Sequence, residues 1–334
     1  MDPLSHGLVG SLTPLALAKK TQQKQAGIIG FGSALLADLD TLISSGNDPL
    51  LNLEYHRHFT HALAFVPVGG LVAAMLFWLV FRNRLSFWQI YLWAAIGYGT
   101  AGLLDACTTY GTRIFLPFLS EKISFNLISI LDPIFTLGLL LAFVLAIKRN
   151  QAKPAQLGIL FMAFYLSLGG IQKERAKQMT LAVAAERGHQ ITALTIKPTM
   201  GNLLVWRTIY LNGETYHIDA MRPAFFSQEK IFPGGEMAAF KMPRDLPQVP
   251  AGSTLAMDIN RFKDFSQGHL AFAPSSNKII GDVRYAMLPN GLAPLWGIRI
   301  NPFKPEVPAI FENFRKTDPS LGLRYLNMIL GKNL

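Results

Sequence analysis

Ala62–Phe81 runs for twenty residues without one charged side chain, and three more stretches in the first half of the chain resemble it. Leu85–Leu104 is uncharged and rich in Trp and Tyr. Ile123–Ile147 carries a single charge, Asp132, and Pro154–Gln172 carries none. Peptide groups inside hydrocarbon find no water, so a helix of about 20 apolar residues is the segment that satisfies them there. The four stretches therefore read as membrane spans. Two shorter apolar runs, Gly7–Ala18 and Ala26–Ala37, precede them, separated by Lys19-Lys20-Thr21-Gln22-Gln23-Lys24, which is too polar to stop inside a bilayer. Read as short crossings they bring the total to about six. Read as a pair lying on the membrane surface they leave four.

The charge distribution divides the chain. Residues 1–172 hold 11 Lys/Arg and 8 Asp/Glu, whereas residues 173–334 hold 20 and 13. The expected fold class is an α-helical membrane bundle over residues 1–172 and a separate, mostly β, soluble domain over residues 173–334. The basic groups Lys19/Lys20/Lys24, Arg82/Arg84 and Lys148/Arg149/Lys153 fall in alternate loops of the six-span scheme. Lys/Arg bias marks such loops as cytoplasmic. That predicts a multi-pass inner (plasma) membrane protein with its soluble domain on the non-cytoplasmic side. A net charge of +10 suits anionic lipid or an anionic substrate. No basic-aromatic pattern points to nucleic acid. The single cysteine, Cys107, excludes an internal disulfide. The opening residues lack a basic n-region and do not read as a cleavable signal peptide.

In the second half, Gln172–Arg187 reads as a polar-faced helix closed by Gly188. Strand-like runs follow at Ile191–Lys197, Leu203–Leu211 and Glu214–Ala220. Asn212-Gly213 between the last two is a strong hairpin signal. A second hairpin is expected from Ile279–Leu288 and Leu295–Ile300 around Pro289-Asn290-Gly291, and a last helix near Leu321–Leu330. Arg207, Asp282, Arg284 and Arg299 read as surface salt bridges rather than a pocket.

Four of the seven histidines lie within the first 61 residues. In the six-span scheme His6 starts the first helix, Asp38 and Asp40 end the second, His56–His61 lead into the third, and Asp105 ends the fourth. Asp132 sits near the start of the fifth, so all converge on one membrane face. Carboxylates at membrane depth are costly and are usually paired or metal-bound. Mixed imidazole and carboxylate donors suit Zn, Mn or Fe as a divalent ion. Such an ion turns water into a hydroxide nucleophile, which is the chemistry of hydrolysis. His6, Asp38, Asp40, His56, His61 and Asp105 are the expected ligands. Asp40, Arg57 and Asp105 are expected to act in catalysis, with Arg57 neutralising a phosphate or carboxylate. Each group also has a structural reading. His6 is a polar cap, Asp38 and Asp40 lie two apart and cannot share a helical face, and Asp132 before Pro133 is an N-cap.

At these residues the chain resembles the YdjM-like (DUF457) family of bacterial and archaeal inner-membrane proteins, described as membrane-bound metal-dependent hydrolases. The matching features are Asp2-Pro3-x-x-His6-Gly7, Asp38-x-Asp40, His56-Arg57-x-x-Thr60-His61-Ala62 and Asp105-x-x-Thr108-x-Tyr110-Gly111. The resemblance covers roughly residues 1–172. His58 stands where the family usually has Gly, so no ligand role passes to it, and Ala37 replaces a usual Pro. The resemblance implies metal-dependent hydrolase activity and adds little about substrate. The place of the site at the face of the lipid bilayer, together with Arg57, points instead to a lipid or other phosphoester, or an ester, as substrate. An ion- or proton-coupled transporter and a non-enzymatic membrane scaffold are the competing functions.

Overall fold

The computed structural model describes residues 1–223, 228–274, 276–315 and 318–333. Two compact units divide the chain. The first comprises Met1–Ile43, Tyr55–Gly170 and Met200–Asn202, and the second Ser44–Glu54, Ile171–Thr199 and Leu203–Leu334.

The first unit is helical. Its helices are α1 (Pro3–Leu17), α2 (Gln23–Ala37), α4 (Val66–Phe81), α5 (Phe87–Cys107), α6 (Pro133–Arg149) and the first part of α7 (Ala152–Glu186); the short α3 (Leu51–Tyr55) belongs almost wholly to the second unit. Local chemistry fixes the starts. Asp2 accepts the Ser5 amide at 2.9 Å with Pro3 at the first helical position. Ser86 and Gln89 form a reciprocal capping box at α5. Asp132 caps α6 ahead of Pro133, and Asn150 in the left-handed region ends it.

Close packing of α1, α2 and α5 depends on glycine. A Cβ on Gly97 would lie 2.4 Å from the Gly30 carbonyl oxygen, and one on Gly30 would lie 2.3 Å from that of Gly10. Both obstacles are backbone, which cannot swing aside. Around this contact Ala26, Ile29, Ala73, Ala74, Ile90 and Ala94 are fully buried.

Among the described residues two helices are long and apolar enough to cross a membrane: Leu63–Phe81, of 19 residues, and Ala152–Glu186, of 35. This corrects the expectation of about six spans. The first two apolar runs form helices of 15 residues each, roughly 22 Å long against a hydrocarbon core of about 30 Å. Most of α1 is buried within protein. The apolar run at Ile123–Ile147 is helical only from Pro133, since the residues before it are irregular, and the helix α6 that begins there has 17 residues. α5 has the length, but Gln89, Tyr91, Tyr98, Thr100 and Asp105 dilute its apolar character. The alternation of basic loops that assigned sides to the membrane assumed six crossings and loses its basis with them.

The second unit carries the β structure expected of the C-terminal half. β1 (Ile191–Pro198), β2 (Trp206–Asn212), β3 (Thr215–Arg222) and β4 (Lys230–Ala238) form one antiparallel sheet in that order. β5 (Leu270–Ala273), β6 (Ser276–Asp282), β7 (Trp296–Arg299) and β8 (Ile310–Asn313) form another. Asn212 pairs with Thr215 across the turn, where Gly213 takes a φ of 60°. The second expected hairpin appears as the β6–β7 pair. Ile209, Ile218, Met237, Ala271 and Val283 pack together between strands of both sheets. The helices of this unit are α8 (Met242–Asp245), α9 (Thr254–Phe265) and α10 (Pro319–Ile329), together with the end of α7. α7 is continuous, so the apolar run and the polar-faced helix read separately from the sequence are one rod.

Three of the four groups expected as surface salt bridges are instead interior. Arg207 is 3% exposed, Arg284 1% and Asp282 0%. Asp282 accepts Arg284 Nη2 at 2.8 Å, while Arg207 donates to the carbonyls of Pro289, Gly291 and Val283 at 2.7, 2.9 and 2.8 Å. Carbonyls of the 283–291 connection supply the acceptors that make this burial tolerable. Only Arg299 matches the surface reading, pairing with Glu312 at 2.7 Å.

Lys197 joins the same interior, donating to the Arg284 carbonyl at 3.0 Å above the Tyr285 ring. Burial, then the Arg284 guanidinium, pushes its ammonium well below the ordinary lysine value against the pull of Asp282. The folded state therefore binds fewer protons than the unfolded chain between those two values, and stability rises with pH across that interval. Lys197→Met is expected to flatten this rise, read as the thermal midpoint by circular dichroism at neutral and alkaline pH. In the helical unit, Gly97→Val is expected to cost about 1–3 kcal/mol through overpacking against Gly30, measured by thermal unfolding in detergent.

Candidate metal centre

The ends of the helices in the first unit carry the ionisable cluster. His6 lies one turn into α1, and Asp105 lies in the last turn of α5. α2 runs out at Ala37 into a 3-10 turn, Asp38–Leu42, and a second 3-10 turn, Phe59–His61, ends on His61. The ring nitrogen Nε2 of His6 lies 3.0 Å from Asp105 Oδ1. His6, Asp38 and Asp105 each bring one donor atom within 4.8 Å of the other two. His61 Nε2 stands 3.4 Å from Asp38 Oδ1 and 3.4 Å from Asp105 Oδ2. These four side chains thus face a common point, although they come from positions up to 99 residues apart.

Asp38 and Asp40, two residues apart, reach the same imidazole from its two nitrogens. Asp40 Oδ2 lies 3.1 Å from His61 Nδ1. Asp40 also takes His56 Nδ1 at 2.9 Å, the Arg57 amide at 2.9 Å and the Thr60 hydroxyl at 2.6 Å. Its oxygens are engaged in orienting the neighbouring histidines. His56 is one-third exposed and hangs from Asp40 outside the three-residue group. Burial works against a charged His61, yet hydrogen bonds to Asp38 and Asp40 outweigh it and raise the imidazolium to about 9. Burial likewise opposes ionisation of Asp40, but His56 and His61 hold its carboxyl well below the usual carboxylate range.

Positive charge gathers around Asp105. The Arg57 Nε lies 2.8 Å from Asp105 Oδ2, and the amino group of Met1 contacts the other oxygen. Arg57 itself sits in the left-handed region with φ of 60°. Its guanidinium donates to Thr108 Oγ1 at 3.0 Å and lies 5.2 Å from the centre of the Tyr110 ring. The arginine expected to neutralise a substrate is therefore 5% exposed and committed to an internal carboxylate. Asp132 lies apart from this group. It caps α6 and accepts the Tyr165 hydroxyl at 2.9 Å on each oxygen, which is the structural reading of that residue. His58 meets the Tyr55 ring at a tilt and the Phe59 ring edge-on.

Two positioning threonines were not singled out as functional in the sequence. Thr60 bridges Asp40 and His61, and Tyr98 holds the Thr60 carbonyl at 2.9 Å. Thr108 binds Arg57 and the Asp105 carbonyl. Their signal was spacing, because both stand at fixed offsets from the histidine and aspartate motifs.

The donor set fits a divalent cation. Two imidazoles and two carboxylates converge, and His6 Nδ1 and Asp38 Oδ2 are buried without a hydrogen-bond partner. Buried polar atoms of this kind call for an explanation, and an ion supplies one. No curated protein and no solved structure matches the chain. A family model described as YdjM inner membrane protein matches residues 1–176, more than half of the 334 residues. The chain belongs to the YdjM inner membrane protein family.

Proposed function

We propose that this protein is a membrane-bound, metal-dependent hydrolase whose ion is held by His6, Asp38, His61 and Asp105. The observation that carries this reading is the convergence of those four side chains, with unsatisfied donor atoms, in a buried setting. Three carboxylates, Asp38, Asp40 and Asp105, stand within the same cluster, and burying them together is tolerable only with compensating positive charge. A zinc, manganese or iron(II) ion would add positive charge to that of Arg57, lower the pKa of a water and stabilise charge developing on an attacked carbonyl or phosphoryl oxygen.

The chain's own residues then divide the work. Asp40 holds the His61 Nδ1, so that Nε2 faces the cluster, the carboxylate–histidine arrangement that orients metal ligands elsewhere. Arg57 balances Asp105 and is fixed by Thr108. His56, the most exposed histidine of the set and anchored through Nδ1, is the group placed to accept or return a proton at the edge of the site. The substrate class supported by this chemistry is an ester or phosphoester, with a lipid-linked one favoured by the family's membrane setting.

Elemental analysis of the detergent-purified protein tests this. Wild type is expected to carry divalent metal and to hydrolyse a phosphoester or carboxylester, and His6→Ala/His61→Ala to lose both. Near-zero metal in wild type and variant alike would overturn the reading. For the orienting role, Asp40→Asn is expected to weaken metal binding by about 10–100-fold while the protein stays folded, measured by chelator competition.

A further inference from the structure

The ionisable cluster of the helical unit has its polarity inverted relative to a site that faces water. His6, Asp40, His61 and Asp105 are buried, whereas the short segments that carry them expose apolar side chains. Leu39 stands exposed between Asp38 and Asp40, and Leu42, which closes the same 3-10 turn, is 74% exposed. Phe59 begins the turn that ends on His61 and is also exposed.

The connection that follows α5 extends this apolar rim. Its backbone is tied to both sides of the histidine motif, since the Arg113 amide donates to the Arg57 carbonyl at 3.2 Å and the Leu63 amide to the Ile114 carbonyl at 2.9 Å. Thr112 and Ile123 close it into a loop through backbone hydrogen bonds of 3.0 and 2.9 Å. The crest of the loop exposes Phe115, Phe118 and Leu119, with Phe118 at 83%. Large apolar side chains held in water are costly, and a group of them marks contact with lipid or an apolar ligand. The helix Leu63–Phe81, long and apolar enough to cross a membrane, starts two residues after His61. A crossing that begins there puts His61 at headgroup level, where lipid phosphates lie. The loop is also cationic, with Arg113 and Lys122 against Glu121, which suits an anionic headgroup. Every residue invoked belongs to the helical unit.

We propose that Leu39, Leu42, Phe59, Phe115, Phe118 and Leu119 form an acyl-chain subsite, through which the centre takes a phospholipid directly from the bilayer. The chains lie against these side chains and the phosphoester meets the cluster. The proposal rests on the metal-hydrolase reading above and narrows its substrate to a phosphate-bearing lipid. In the hydrolysis a water oxygen bonds to phosphorus while a phosphorus–oxygen ester bond breaks, and the electron pair leaves on the departing alkoxide oxygen. His56 takes a proton from the water and returns it to that oxygen, which leaves as an alcohol.

Photo-crosslinking of the full-length, detergent-purified, zinc-loaded protein tests the subsite apart from turnover. The probe is a hexadecylphosphonate with a diazirine in its chain, whose carbon–phosphorus bond is not hydrolysed. Label is expected to concentrate on residues 38–42 and 112–123. It should fall about tenfold in Leu42→Ser/Phe118→Ser, the equivalent of roughly one buried apolar side chain, and as far when zinc is removed. Both replaced side chains are largely exposed, so the variant should keep the zinc content of wild type; if it fails to fold, Leu42→Ser and Phe118→Ser singly decide by the same label. Unlabelled hexadecylphosphonate should compete at concentrations more than about 100-fold below methylphosphonate, which has the headgroup without the chain. Equal competition by methylphosphonate would mean a site for soluble phosphoesters and overturns the proposal. Equal labelling of these segments by a diazirine-bearing hexadecanol, or label indifferent to zinc and to the substitutions, would mean an apolar belt alone and overturns it too. Wild type that holds no zinc, read by elemental analysis before any probe is added, overturns the metal reading and this proposal with it, an outcome distinct from zinc-loaded protein that does not label.

Discussion

Everything in the helical unit answers to the placement of Asp38, Asp40 and Asp105 around one imidazole. His61 lies within 3.4 Å of all three carboxylates, and its side chain is closed to solvent. Ionised carboxylates so close together repel strongly where water does not screen them. The surroundings meet part of that demand with the Arg57 guanidinium and the proton on His61.

The fold serves this cluster through its helix ends. Glycines 10, 30 and 97 let α1, α2 and α5 approach until backbone meets backbone, and that proximity brings His6, Asp38 and Asp105 to one place. The 3-10 turns at Asp38–Leu42 and Phe59–His61 break helical periodicity where it would have spread the donors around a cylinder.

The histidine and aspartate motifs that converge were legible in the sequence because each sits at an abrupt change from apolar run to polar residue. His6, Asp38, His61 and Asp105 could be chosen on those grounds. Which carboxylate would face the common point was not legible: Asp38 and Asp40 differ only in how a 3-10 turn directs them, and that depends on tertiary contacts. Arg57 looked free to meet substrate because nothing in the sequence revealed its pairing with Asp105, 48 positions away. The β hairpin at Asn212-Gly213 was readable from local turn chemistry alone. The number of crossings was not, since apolar composition does not distinguish a helix facing lipid from α1, most of which is buried against protein. The burial of Arg207 escaped for a related reason, as its acceptors are carbonyls of a connection remote in sequence.

X-ray absorption at the metal edge of the zinc-loaded protein tests most directly whether His6, Asp38, His61 and Asp105 share one ion. The account predicts a first shell of two imidazole nitrogens with carboxylate oxygens, reduced by one imidazole in His61→Ala. A shell of oxygen atoms alone, or one unchanged by His61→Ala, would contradict it.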